Sequence, residues 1–201
     1  MTRASAAHRV CRLARKTRET DIRVSLDLDG GGNADIATGV PFFDHMLTLL
    51  ARHALFDLTV RAKGDLEIDG HHTLEDAGLA LGTALAQALG DKKGIARYGF
   101  SLLPMDETLA RVAVDLSGRP FFVYGMATKE KRIKDFETAN IEEFLRAFAF
   151  EAKINLHVSQ LYGKNAHHAF EAVFKALAKA LKMACARDPR VKGIPSSKGV
   201  L

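Results

Sequence analysis

The chain has 201 residues, enough for one ordinary domain or two small halves, and its 47% hydrophobic content is that of a globular protein. A net charge of +5 is mildly basic and suits an anionic substrate, while 7% aromatics and no Trp argue against nucleic acid as a partner. Cys11 and Cys185 make no disulfide framework, no apolar run reaches the length of a membrane span, and residues 1–9 lack an apolar signal core, so a reducing cytoplasm is the expected setting.

Taken in order, residues 8–17 predict a first strand. Thr20–Asp29 alternates strictly, with Ile22, Val24, Leu26 and Leu28 on one face, and predicts a half-buried second strand. Asp29-Gly30-Gly31-Gly32-Asn33 is a turn rich in residues that tolerate positive φ, and the short strand after it, to Thr38, predicts a hairpin. Pro41 opens a helix carrying Phe42, Phe43, Met46, Leu47 and Leu50. Phe56, Leu58, Val60 and Ala62 alternate as a strand that ends at Gly64-Asp65, and a helix runs on to Leu89. Gly90–Gly94 is the expected boundary between halves. Beyond it Ala110–Leu116 predicts a strand, Ser117–Pro120 a turn, and Phe121–Met126 a returning strand. Ile141–Phe150 predicts a helix, Leu156–Leu161 a strand, and a last helix runs from about Asn165 to Arg187. Each half therefore predicts a sheet with helices on one side, the halves packing helix to helix. Residues 1–92 are the expected first half, 93–190 the second, and 191–201 a polar tail.

His71-His72-Thr73-Leu74-Glu75 returns as His167-His168-Ala169-Phe170-Glu171, an offset of 96 positions. Residues four apart share one helix face, so His71 with Glu75, and His167 with Glu171, can each grip one cation. His72 and His168 are rotated by about 100° from their neighbours and point at a second ion. Two imidazole–carboxylate clamps suit Mn, Fe, Co, Ni or Zn, and the lack of nearby Cys argues against a structural Cys-rich zinc site. A single such motif could equally be carboxylates favouring a helix start; two copies at one offset favour metal.

Other residues carry less signal. His45 lies on a helix in the same half as one clamp, which favours a ligand role, whereas His53 sits near a helix end. His8 and His157 read as surface and structural. Glu19 is one carboxylate among 24 acidic residues, unmarked by spacing. Arg97 and Arg119 stand beside turns, where a guanidinium can reach a phosphate but is more often a surface group. The tail Ile194-Pro195-Ser196-Ser197-Lys198-Gly199 is either a disordered end or a phosphate-holding loop. A dinuclear hydrolase and a non-catalytic metal-storage shell both stay open at this point.

The chain resembles the imidazoleglycerol-phosphate dehydratases of histidine biosynthesis, in their monofunctional form. The resemblance rests on Phe43–Leu47, Gly64–Leu66, Asp69–Asp76, Pro104–Glu107, Asp115–Pro120, Asn165–Ala172 and Ile194–Gly199, in order along nearly the whole chain. It implies an α+β fold of two ferredoxin-like halves, a 24-mer shell with active sites at subunit interfaces, and two Mn²⁺ per site. The implied metal ligands are His45, His71, His72, Glu75, His167, His168 and Glu171, with Glu143 where relatives often carry His. Leu49 stands where relatives often have Gln. The implied acid/base is Glu19. The implied substrate set includes Glu19, His45, His53, His71, His72, His167 and His168. Arg97, Arg119, Ser197, Lys198 and Gly199 are its phosphate-holding part. The implied reaction removes water from imidazoleglycerol phosphate, through an imidazolate held by both metals and a diazafulvene-like intermediate, with Glu19 moving the proton.

Overall fold

The computed structural model describes residues 8–201. The first half runs β1 (Val10–Lys16), β2 (Thr20–Asp27), β3 (Ala34–Ala37), α1 (Pro41–Ala54), β4 (Asp57–Gly64), α2 (His71–Leu89). The second runs β5 (Tyr98–Met105), β6 (Thr108–Asp115), β7 (Phe121–Gly125), a small hairpin β8–β9 (Arg132–Ile133, Phe136–Glu137), α3 (Ala139–Glu151), β10 (Asn155–Tyr162), α4 (Ala166–Cys185). Each half forms one four-stranded sheet, ordered β1-β2-β4-β3 and β5-β6-β10-β7.

Two expected local pairings do not form. β3 does not fold back on β2 as a hairpin; it pairs in parallel with β4. The inner edge of β2 is already taken by β4, antiparallel with Leu26 opposite Leu58. Asp57 at the head of β4 then captures the turn, its Oδ1 accepting from Gly31 N and Asn33 N at 2.8 Å each, which carries the chain to the far edge. Likewise β7 does not return along β6 but pairs in parallel with β10. β5 is a strand the sequence concealed. Its outward face carries exposed Tyr98, Phe100 and Leu102, and its inward face begins with Gly99, so the expected alternation is inverted. Gly99 is required there, because a Cβ would lie 1.9 Å from Ala180 O of α4.

The helices occupy the space between the sheets. Pro41 starts α1 at a position where no backbone N–H is needed, and the left-handed Leu55 ends it. α2 crosses α3 of the other half at Gly78 and Gly82, where a Cβ would approach Phe144 O to 2.6 Å and Phe148 O to 2.5 Å. Phe43 of α1 meets Phe144 of α3 edge to face at 4.9 Å, and Phe144 stacks on Phe174 of α4 at 5.9 Å. All three rings are fully buried, each contributing about 2–3 kcal/mol of transfer free energy. This helix-to-helix core is what brings side chains of both halves to common points.

The repeat offset is not constant. Strands β1–β2 and β5–β6 match at 88 residues, as Thr20 to Thr108; α1 and α3 match at 98, as His45 to Glu143; the His-His helices match at 96. The β8–β9 hairpin, absent from the first half, accounts for the increase from 88 to 98.

Candidate active site

Asn165 caps α4, its Oδ1 accepting from His167 N at 2.9 Å and His168 N at 3.4 Å. Both histidines are thereby held in the first turn. His167 and Glu171 lie one turn apart, and α1 from the other half brings in His45. His45 Nε2 is 2.7 Å and His167 Nε2 3.1 Å from Glu171 Oε1. The three donor atoms lie within 4.8 Å of one another, the one such group of three among the described residues. Phe42 sets the His167 ring, edge to face at 5.3 Å.

Lys175, one turn past Glu171, places Nζ 2.6 Å from Glu171 Oε2. Burial alone would raise the Glu171 pKa. The hydrogen bonds from Lys175, His45 and His167 outweigh it and bring the carboxyl down to about 2. Two imidazoles and an ionised, nearly buried carboxylate converging on one point form a donor set that fits a borderline or oxygen-preferring divalent ion such as Mn²⁺. A cavity of about 830 Å³ opens beside His45 and His167, with Asp69, Gly70 and Asn140 on its wall.

Gly70 leads directly into α2, where the other clamp sits. There Asp69 Oδ1 accepts from His71 N at 2.7 Å, and His71 Nε2 lies 4.0 Å from Glu75 Oε2. His72 turns away, its Nδ1 2.9 Å from Asp65 Oδ2 and 4.0 Å from Glu19 Oε2. Asp65 raises the His72 pKa. Glu19 sits exposed on the β1–β2 turn. Thr17 Oγ1 accepts from Glu19 N and Thr20 N at 3.1 and 3.0 Å. Thr20 Oγ1 in turn donates to buried Asp76, the residue after Glu75, which also holds Arg15 at 2.8 Å. The turn bearing Glu19 is thus fastened to the helix bearing Glu75 while the Glu19 carboxylate stays accessible. On α4, His168 places Nδ1 2.7 Å from Glu107 Oε2, and this bond raises the His168 pKa. The same bond, with the Asn165 amide, brings Glu107 down to about 2. Glu143 lies on α3, paired at 3.7 Å with Arg146 Nε.

The anion-binding candidates gather elsewhere. Arg97 Nε bonds Asp115 Oδ1 at 2.7 Å, Nη1 donates to Pro195 O at 2.9 Å, and the guanidinium lies 4.7 Å over the Tyr98 ring. This contact, with Gly94 N donating to Gly193 O at 3.0 Å, lays the tail against the second half. A Cβ on Gly118 would lie 2.6 Å from Leu201 C, so the chain end rests on the Ser117–Pro120 turn that carries exposed Arg119. Ser197 and Lys198 follow Pro195 and are exposed, with Lys198 N donating to Ser196 Oγ at 3.1 Å. Arg97 precedes β5, and Met105, whose sulfur is 3.3 Å from Lys175 Nζ, ends it. Eight residues of strand at about 3.3 Å each separate the two clusters by roughly 25 Å. His53, in the last turn of α1, is half-buried; burial and then Lys179 and Lys175 lower its pKa. Leu49 packs against the core.

Asp65, Asp76, Glu107 and Lys175 are site-forming residues that sequence reasoning did not single out. Lys175 was legible as the position four past Glu171. Glu107 was legible only at the 88-residue offset, where it is the counterpart of Glu19.

Residues 38–181 match the family described as imidazoleglycerol-phosphate dehydratase. The imidazoleglycerol-phosphate dehydratase of Methylorubrum extorquens is 58% identical over 194 residues, covering 96% of this chain and 100% of that protein. That of Symbiobacterium thermophilum is 59% identical over 195 residues, covering 97% and 94%. Among solved structures, the Staphylococcus aureus imidazoleglycerol-phosphate dehydratase superposes with a TM-score of 0.81 at 38% identity, covering 89% of this chain and 99% of that one. The Pyrococcus furiosus enzyme, in complex with (S)-C348, gives 0.78 at 34%, covering 94% and 100%. With two paired sheets around a common helical core and a chain-long likeness of this degree, the chain belongs to the imidazoleglycerol-phosphate dehydratase family, hydro-lyases of histidine biosynthesis.

Proposed function

We propose that this chain removes water from D-erythro-1-(imidazol-4-yl)glycerol 3-phosphate to give 3-(imidazol-4-yl)-2-oxopropyl phosphate, with two Mn²⁺ per active site. The observation that carries the reading is the convergence of His45, His167 and Glu171 from opposite halves on one point. These three would hold one ion. His71 and Glu75 would hold the other, with Glu143, His72 and His168 as further donors. When bound, the ions supply Lewis-acid stabilisation of an anionic imidazole ring, which the substrate carries.

The chain's own residues account for the rest. The carbon that must lose a proton stands beside a hydroxyl, with no carbonyl to acidify it. Glu19 is exposed, its backbone is fastened by Thr17, and its carboxylate stands 4.0 Å from His72 Nδ1, so it is available to take that proton. The neighbouring carbon–oxygen bond breaks, the hydroxyl leaves with a proton as water, and the resulting enol relaxes to the ketone. Arg97, Arg119, Ser197, Lys198 and Gly199 would hold the phosphate, and His53 would line the substrate site.

The substrate is far shorter than the roughly 25 Å between the Arg97 cluster and Glu171. This spacing sets one chain's proposed phosphate set apart from its own triad. This favours active sites shared between subunits of a shell, proposed as the 24-mer, working in the cytoplasm.

Stripping the protein with chelator and adding back Mn²⁺ or Zn²⁺ while following ketone formation tests the reading. Activity should vanish and return with Mn²⁺. A fully metallated protein that forms no ketone would overturn it.

A further inference from the structure

His72 and His168 differ from His45 and His167 in which ring atom is engaged. The latter present Nε2 to Glu171. The former place Nδ1 against a separate carboxylate, Asp65 at 2.9 Å and Glu107 at 2.7 Å. An ionised carboxylate only accepts, so in each neutral ring Nδ1 carries the hydrogen and Nε2 keeps its lone pair. Among the described residues, the one further group within ion-pair distance of His168 Nε2 is the exposed Asp106, at 3.8 Å.

Glu107 is held independently of its histidine, whereas Asp65 is held by its burial beside His72. Glu107 Oε1 accepts from Asn165 N at 2.9 Å and Lys164 N at 3.2 Å, at the cap of the helix that carries His168. Asp65 has a 14% exposed side chain, and its Oδ1 is buried without a partner among the described residues. A buried oxygen left without a partner costs stability.

The two carboxylates are also not repeat counterparts. Asp65 follows β4, whereas Glu107 lies in the β5–β6 turn, where the first half has Glu19. The same device has been built twice from unrelated positions. We propose that Asp65 and Glu107 are positioning residues that fix the Nδ1–H form of His72 and His168, so that each offers Nε2 to metal. Asp65 thereby leaves Glu19 unclamped for proton transfer. The metal part of this inference rests on the proposed function; the tautomer part does not.

Solid-state ¹⁵N NMR of the whole metal-free protein with labelled histidine tests it, at about pH 9, well above the ordinary imidazole value of about 6.5. His72→Gln and His168→Gln spectra assign the two rings. Both should show Nδ1 protonated and Nε2 bare. Glu107→Ala should move His168 toward the Nε2–H form and leave His72 unchanged, and Asp65→Ala should do the reverse. Glu107→Gln, which keeps an acceptor, should retain the wild-type form. Each alanine variant should weaken Mn²⁺ uptake, read by electron paramagnetic resonance of free ion, by about 10–100-fold. Wild-type rings in the Nε2–H form overturn the proposal even if a variant does not fold, as do alanine variants with unchanged tautomers. A correct tautomer pattern in a metallated protein that forms no ketone would sink the dehydratase reading alone.

Discussion

Glu107 accepts two backbone N–H bonds and sits 2.7 Å from His168, whereas Glu19, at the equivalent turn of the other half, is 4.0 Å from His72 and exposed. A fixed carboxylate orients; a free one can move a proton. Glu19→Gln should cut turnover by about 10²–10⁴-fold while Mn²⁺ content, measured on the purified protein, stays at wild type. Normal turnover with metal in place would remove Glu19 from the mechanism. Lys198→Ala should raise KM with little change in kcat, and an unchanged KM would exclude its phosphate role. The raised pKa values of His72 and His168 give a definite sign. A proton that binds more tightly competes with metal to higher pH, so on acidification Mn²⁺ loading should already decline before the pH reaches that at which free imidazole protonates, about 6.5. Equilibrium dialysis across pH measures this.

At the scale of elements, the α2–α3 crossing depends on the absence of side chains. A methyl at Gly82 would sit 2.5 Å from Phe148 O and 2.9 Å from Glu151 Cβ. Gly82→Ala should therefore destabilise the fold by about 1–3 kcal/mol despite the better helix propensity of Ala. A urea midpoint at or above wild type would show that the helices part without cost. Asp29 Oδ1 and Oδ2 grip Arg9 at 2.6 and 2.9 Å, and this bond lowers the Asp29 pKa. A depressed carboxyl contributes stability above its unfolded pKa, about 3.9, and loses it as pH falls through the folded value. Asp29→Asn should lower the urea midpoint near neutrality and flatten its decline toward acid. Parallel acid limbs in the two proteins would dissociate the pair from acid stability.

Across the whole molecule, the two chemical clusters stand at opposite ends of β5. His45→Ala subunits lack one member of the proposed metal triad, and Lys198→Ala subunits lack a proposed phosphate donor. If sites are shared between subunits, co-assembled mixtures of the two should show more activity, at substrate below the Lys198→Ala KM, than either variant alone. No recovery in verified mixed assemblies would mean that each chain serves itself. Among the described residues no helix is long and apolar enough to cross a membrane. Both cysteines are free and buried, Cys185 with its thiol pushed up to about 12 by burial.

The doubled His-His-x-x-Glu motif, the α+β halves and the helix-to-helix packing were legible in the sequence, because helical periodicity and residue spacing are local. So were most strands, whose alternation marks one buried face, as in Ile22, Val24 and Leu26. Sheet order was not. β3 and β7 cross to a far edge because β4 and β10 occupy the near one, a competition between segments distant in the chain. β5 was hidden by an inverted face that only contact with α4 explains. The grouping of His45 with His167 and Glu171, residues more than a hundred positions apart, was set by how the two halves interleave their helices. The sequence by itself determined which side chains are candidates for the chemistry. Only the tertiary structure decided which of them meet, since distance along a chain says nothing about distance across a core.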